Sequence, residues 1–183
     1  MLVVCGKSAS GKDTIVSKLN SLGMGLIVPY TTRPMRPGEV DGVNYHFITE
    51  QEFLDKKKNG FFATTSQFKV ANGDTWYYGR ALKDLGYNKV MTADPTTVEQ
   101  IQKIKSLKAL TVYINADEKV IEKRLNNRGD DQAELKRRML ADHTDYADIN
   151  NIIDLSIRND GNTSPSCIAE VIKYTYNRMI DNR

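Results

Sequence analysis

Leu2-Val3-Val4-Cys5-Gly6-Lys7-Ser8-Ala9-Ser10-Gly11-Lys12-Asp13-Thr14 is the stretch that decides the fold. Its first four residues form a short apolar run, the length and character of a buried strand. Gly6 to Lys12 matches G-x-x-x-x-G-K, and Ile15, Val16 and Leu19 then recur at helical intervals up to Gly23. A strand feeding a glycine loop that opens a helix is the context that gives this pattern chemical content. Gly6 and Gly11 let the backbone curl so that successive N–H groups converge on an anion, with the helix N-terminus behind them. Lys12 then reaches the β- and γ-phosphates of a nucleotide as a point charge. An ordinary glycine turn capping a helix is the plainer alternative; strand, spacing and lysine together favour the phosphate loop. Gly6, Ser8, Ala9, Ser10, Gly11, Lys12, Asp13 and Thr14 are accordingly the expected ATP-binding residues.

The residue after the lysine in such loops is ordinarily Ser or Thr, whose hydroxyl coordinates Mg²⁺. Here it is Asp13, with Thr14 following. A carboxylate is also a hard oxygen ligand, although it sets a negative charge beside a polyphosphate. Asp13 is read as holding Mg²⁺ directly or through water, with Thr14 on the α-phosphate.

Outward from the loop, short apolar runs at Gly25–Val28, Lys89–Ala93, Leu110–Ile114 and Ile152–Ile157 read as further strands. Helices are expected at about Thr96–Ile104, Glu118–Asn126, Ala133–Ala147 and Ile168–Ile180. Strands alternating with helices imply βαβ units and a parallel sheet. Residues 30–80 break that rhythm and read as an inserted subdomain. Pro29 to Gly38 is a proline-rich basic loop and Asn44–Ile48 a strand; Thr49 with Glu52 is a capping box for a helix to Lys58. Phe61–Val70 has strand character, and Asn72-Gly73 signals a hairpin. Between Asn126 and Ala133 the chain is polar, with Gly129 inside, and is expected to be mobile.

Composition narrows the class. The chain has 183 residues, 40% apolar and 27% charged, which fits one globular domain and no low-complexity class. No apolar stretch approaches the length of a membrane span. No charged n-region or cleavage site follows Met1, so a signal peptide is not expected. Cys5 and Cys167 form no CxxC, which points to a reducing compartment and no zinc site. A net charge of +3 is too small for a nucleic-acid binder of this size. A cytoplasmic protein with neither membrane nor nucleic-acid partners is the expectation, as a monomer or homodimer.

Thr31-Thr32-Arg33-Pro34-Met35-Arg36-Pro37-Gly38-Glu39, followed by Asp41-Gly42 and Tyr45, is chemically suited to a phosphate monoester. Two arginines three residues apart on a proline-stiffened loop can grip a dianion in bidentate fashion, and tyrosine hydroxyls can complete the shell. A solvated basic turn is the bland alternative. The segment resembles the monophosphate-binding segment of the guanylate kinase family, and Trp76-Tyr77-Tyr78-Gly79, Arg128-Gly129 and Arg137-Arg138 follow in the family's order. The resemblance implies a three-layer α/β fold of the P-loop NTPase type. In it a parallel core (1–29, 81–125, 148–183) would carry a mixed-β NMP-binding insertion (30–80) and a short lid (126–147).

By the same resemblance, Arg33, Arg36, Tyr45 and Tyr78 bind the acceptor phosphate, and Asp94 lies near the base. The lid arginines Arg128 and Arg138 stabilise the transferring phosphoryl group, with Arg137 as the alternative to Arg138; Asn159 lies near the adenine. An i,i+4 pair of Glu134 with Arg138 on a solvated helix face is the structural alternative. Base recognition departs from the family. Pro29 stands where it has a serine, Ala63 or Thr64 where it has a glutamate, and Arg80 where it has a second serine. Thr64 and Arg80 join the expected NMP-binding set. The acceptor oxygen is already anionic, so no base catalyst is required, and His46 and His143 read as structural or exposed residues.

The implied activity is Mg²⁺-dependent phosphoryl transfer from ATP to a nucleoside monophosphate, GMP or dGMP first. A (d)NMP kinase of different or broader base choice is the alternative within the class. A non-catalytic guanylate-kinase-like binding module is the alternative outside it.

Overall fold

The computed structural model describes residues 1–70, 73–127 and 132–181, excluding the side chains of 132–138 and 181. Nine strands are described: β1 (Leu2–Cys5), β2 (Gly25–Leu26), β3 (Tyr30–Thr31), β4 (His46–Phe47), β5 (Phe62–Lys69), β6 (Thr75–Ala81), β7 (Lys89–Ala93), β8 (Leu110–Asn115) and β9 (Leu155–Arg158). The helices are α1 (Lys12–Ser21), α2 (Glu50–Lys58), α3 (Pro95–Gln102), α4 (Glu118–Asn126), α5 (Gln132–Asp145) and α6 (Pro165–Asp181).

Every residue of β1 is buried, as an unbroken apolar run in a parallel sheet must be. It lies at the centre of a five-stranded parallel sheet in the order β2-β7-β1-β8-β9, with Val3 opposite Met91 on one side and Thr111 on the other. Ile15, Val16 and Leu19 of α1 pack with Ile168, Ile172 and Tyr176 of α6 on one face. Val98 and Ile101 of α3, with Tyr146 and Ile149, cover the other. From β1 the chain crosses through α1 to β2 on one side, and after β7 it crosses through α3 to β8 on the other side of β1. The loop after β1 therefore opens where strand order reverses, the place where ligands bind in open α/β sheets.

Residues 30–81 form a second, mixed sheet in the order β4-β3-β6-β5. The expected loop from Pro29 contains β3, because β6 presents an open edge to which Tyr30 and Thr31 pair opposite Gly79 and Tyr78. Two residues carry too little pattern to announce such a strand. The capping box of α2 is formed as read: Glu52 N–H donates to Thr49 Oγ1 and Thr49 N–H to Glu52 Oε2. Phe53 is the buried residue of that helix and stacks on Phe62 at 4.6 Å, docking α2 on β5.

β5 and β6 form the expected hairpin, with Asn72 of its turn outside the described residues. The final strand starts three residues later than Ile152. Ile149–Asn151 is a 3₁₀ turn, and Ile152 and Ile153 pack against the core instead of pairing. Among the described residues, no helix is long and apolar enough to cross a membrane.

Candidate active site

The loop between β1 and α1 is held from behind. Arg124 of α4 donates to the carbonyls of Ala9 and Ser10, each at 3.2 Å, and to that of Asn159 at 2.9 Å. Asn159 Nδ2 also donates to Ser10 O at 2.8 Å. A trans peptide sets its C=O and N–H on opposite sides, so turning Ser10 C=O onto these two residues turns Gly11 N–H into the cradle. Gly11 has φ +95° and Ala9 has φ +57°, so the loop enters the left-handed region twice. A Cβ on Gly11 would lie 2.3 Å from Asn159 Nδ2. One on Gly6 would lie 2.5 Å from Ser10 Oγ and 2.6 Å from Ile114 O. Ser10 Oγ is buried without a partner among the described residues, and Lys12 Nζ reaches back to Lys7 O at 3.5 Å. These are properties of a backbone cradle suited to an anion.

In front of the loop stands α5. Asp142 Oδ2 accepts the N–H of Ser8 at 2.7 Å, and Tyr146 donates its hydroxyl to Gly6 O at 2.8 Å. Asp145 lines the same cleft. Burial, with Asp142 and Asp94 nearby, holds its carboxyl above the usual carboxylate range.

The cleft between loop and second sheet has a volume of about 790 Å³, ample for a nucleotide. Alternation along β6 puts Trp76, Tyr78 and Arg80 on its wall, while Tyr77 packs on Phe53 at 5.4 Å from the other face. Arg33 and Arg36 both line the cleft but differ in kind. Arg33 is 4% exposed and forms a bidentate pair with Glu39, at 2.7 and 3.0 Å, besides donating to Pro34 O. Burial opposes its charge, but Glu39 and the tyrosines outweigh this and raise its pKa. Glu39 is held below the usual carboxylate range, first by the Arg33 bond and also by Arg36 N–H. Arg36 is exposed, with no side-chain partner among the described residues, and is the free cation of the segment. Tyr45 and Tyr78 meet edge-on at 6.0 Å, and the Arg33 guanidinium lies 5.1 Å from the Tyr45 ring centre.

Asp94 caps α3 by accepting Thr97 N–H at 2.7 Å and takes the Ser66 hydroxyl at 2.9 Å, while lining the cleft. Thr64 shares the sheet face of Arg80, its register partner, but is 1% exposed and off the cleft wall. Asp13 is exposed on the first turn of α1 and lines the cleft, whereas Thr14, though exposed, does not. Asn159 is 5% exposed and also off the cleft wall. Arg128 and Gly129 lie outside the described residues; Arg137 and Arg138 lie on α5, described for their backbone only. His46 stacks on Tyr30 at 4.4 Å, and His143 is exposed.

Glu39 closes the Thr31–Glu39 motif, and its pairing with Arg33 is what the fold adds. Three contributors escape the sequence. Ser66 follows Thr64 by two and so shares its face. Arg124 and Asp142 act on the loop across more than a hundred residues, and no local pattern marks them.

A cradle at the sheet's switch point, facing a cleft walled by the second sheet, defines a P-loop α/β fold of the nucleotide-kinase class. The chain belongs to the guanylate kinase family, whose sequence profile matches residues 1–173. A guanylate kinase of Helicobacter hepaticus is 30% identical over 95% of this chain and 91% of its own. One of Bifidobacterium longum is 34% identical over 76% of each. The crystal structure of guanylate kinase from Anaplasma phagocytophilum superposes with a TM-score of 0.69 over 98% of this chain and 85% of its own. At 21% identity, that likeness speaks for the fold.

Proposed function

We propose that this chain transfers the γ-phosphoryl group of ATP to a nucleoside monophosphate, with GMP and dGMP as the preferred acceptors. The observation that carries this reading is the phosphate cradle facing the arginine and tyrosine wall across one cleft. The Gly11 N–H, the helix N-terminus behind it and Lys12 hold the donor phosphates. Arg36, Tyr45 and Tyr78 take the acceptor phosphate. Arg33 supplies the two N–H groups of its five that Glu39 and Pro34 leave free, and Glu39 fixes its plane. Arg128 and Arg138, or Arg137 in its place, stabilise the charge that spreads over the transferring group. The acceptor oxygen is already anionic and attacks without a base.

The donor set fits Mg²⁺. Asp13 places an exposed carboxylate on the cleft beside the cradle, with no side-chain partner among the described residues. Mg²⁺ is ordinarily held by one or two carboxylates together with substrate phosphates. Asp13 would hold the ion, which when bound neutralises charge on the β- and γ-oxygens.

The test is ADP release from ATP and Mg²⁺ with GMP, dGMP, AMP, dAMP, CMP, dCMP, UMP and dTMP. Turnover led by GMP and dGMP, and abolished by Lys12→Ala, supports the reading. Preference for another base would move the chain to a (d)NMP kinase of different specificity. Absence of turnover with tight phosphopeptide binding would make it a binding module.

A further inference from the structure

Helix α3 joins the core to the second sheet through one face. Asp94 at its N-cap, Thr97 and Gln100 recur every three residues, so they line up along the helix. Each meets the insertion: Asp94 accepts the Ser66 hydroxyl, Thr97 accepts from Arg80, and Gln100 pairs with Thr65. The Gln100 contact differs from the other two because it engages backbone. Its Oε1 accepts Thr65 N–H and its Nε2 donates to Thr65 O, both at 2.8 Å. A side-chain amide carries a donor and an acceptor side by side, so it can satisfy both backbone groups of one residue. β5 is an edge strand of its sheet, and Gln100 stands at Thr65 in the place of a further strand.

Alternation carries that contact to the cleft. In an antiparallel ladder each residue turns both backbone groups to one side, and its neighbours turn theirs to the other. Thr65 faces α3, so Ser66 faces β6, where its register partner is Tyr78. Tyr77 agrees from its own side: it donates to Thr32 Oγ1 and accepts Thr32 N–H, which leaves Tyr78 turned to β5. Gln100 itself is off the cleft wall, while Tyr78 and Asp94 are on it. The chain enters the insertion at Tyr30 and leaves it at Ala81, on the neighbouring strands β3 and β6, with Tyr30 opposite Gly79. Two crossings so close together form a hinge, and a body on a hinge keeps its angle through a contact away from the axis. β5 lies on the far side of β6 from β3, and Gln100 holds it there.

We infer that Gln100 is a positioning residue that fixes the angle between insertion and core, and with it the distance from the Tyr78 wall to the phosphate cradle. The inference rests on the kinase reading of the cleft and adds what sets its working separation. Transfer between two bound phosphates depends steeply on their separation and alignment. The donor residues belong to the core, whereas Arg36, Tyr45 and Tyr78 all belong to the insertion. Each substrate therefore keeps its own contacts when the angle slackens, and the transfer step alone suffers.

The experiment uses Gln100→Met, which keeps the length of the side chain and removes both hydrogen bonds. Steady-state kcat and the KM values for ATP and GMP are measured beside the distance distribution between two spin labels. One label sits on Cys167, exposed near the start of α6, and the other on Lys58→Cys, at the exposed end of α2; Cys5 is buried. The distribution is expected to broaden in Gln100→Met, with kcat down roughly 10-fold and both KM values nearly unchanged. Hydrogen exchange at the Thr65 amide of the unmodified protein, read by NMR, is expected to be slow for an edge strand, and it tests the anchor even if the variant fails to fold. Rapid exchange there overturns the inference. So does an unchanged distance distribution, or a raised GMP KM with kcat intact. A broadened distribution in a protein that turns over no nucleotide would leave the anchor standing and defeat the kinase reading. Turnover by the unmodified protein, with an unchanged distribution in the variant, would do the reverse.

Discussion

Gly11→Ala separates backbone strain from a specific collision, because the structure supplies both. At φ +95° an alanine pays the left-handed cost, ~1–2 kcal/mol. Ala9 at φ +57° shows that the same loop carries one such residue already. The new Cβ would also sit 2.3 Å from Asn159 Nδ2, so the amide has to leave Ser10 O. Breaking that buried bond and stranding its donor costs roughly 1–3 kcal/mol. The total is about 2–5 kcal/mol, or about 4–20 °C in Tm for a chain of this size.

In an Asn159→Ala background the collision is gone. The next neighbour, Arg124 Nη1, is 3.8 Å from the Cβ, so Gly11→Ala should cost only the backbone part. Equilibrium urea unfolding of the two single variants and the double variant measures the coupling. It is expected at about 1–3 kcal/mol, with the double variant more stable than additivity allows. Costs that add to within ~0.5 kcal/mol would refute the argument that Asn159 braces the loop against Gly11.

Three further outcomes follow from the cleft. Arg36→Ala removes the cation that no carboxylate holds and should raise the acceptor KM roughly 10–100-fold with little change in kcat; steady-state kinetics with an unaltered KM would contradict this. Asp142→Asn weakens the bond that occupies Ser8 N–H, so a polyphosphate meets less competition; the ATP KM is expected to fall, and a rise would show that the carboxylate assists binding. Glu39 has a folded pKa lowered by its bond to Arg33, so the pair's contribution is present above the ordinary value of 4.5 and is lost as pH falls through the folded pKa. Tm measured from neutral to acid pH should therefore fall less steeply below 4.5 in Glu39→Gln than in the unmodified chain, and parallel curves would remove the pair from the account.

The local elements were legible for local reasons. β1, the glycine loop and α1 announce themselves through burial pattern, spacing and chirality, all confined to the first 21 residues. The capping box at Thr49 and Glu52 is likewise complete within four residues. β3 was illegible because its two residues are strand only by courtesy of the β6 edge. Thr64 and Arg80 entered as equals from position alone, yet the sheet seats Arg80 on the cleft wall and Thr64 off it. Arg33 and Arg36 are alike in sequence, and only the fold pairs Glu39 with Arg33 while leaving the Arg36 side chain without a partner among the described residues.

The sequence by itself determined the class of chemistry. A phosphate loop needs particular residues at particular spacings along one continuous segment, and those can be read directly. Tertiary structure alone decided what braces that loop and what occupies its Ser8 N–H. Arg124, Asn159 and Asp142 reach the loop from 114 or more residues away. Such contacts depend on which chain segments the parallel sheet brings together, and that distance-independent proximity leaves no trace in local sequence.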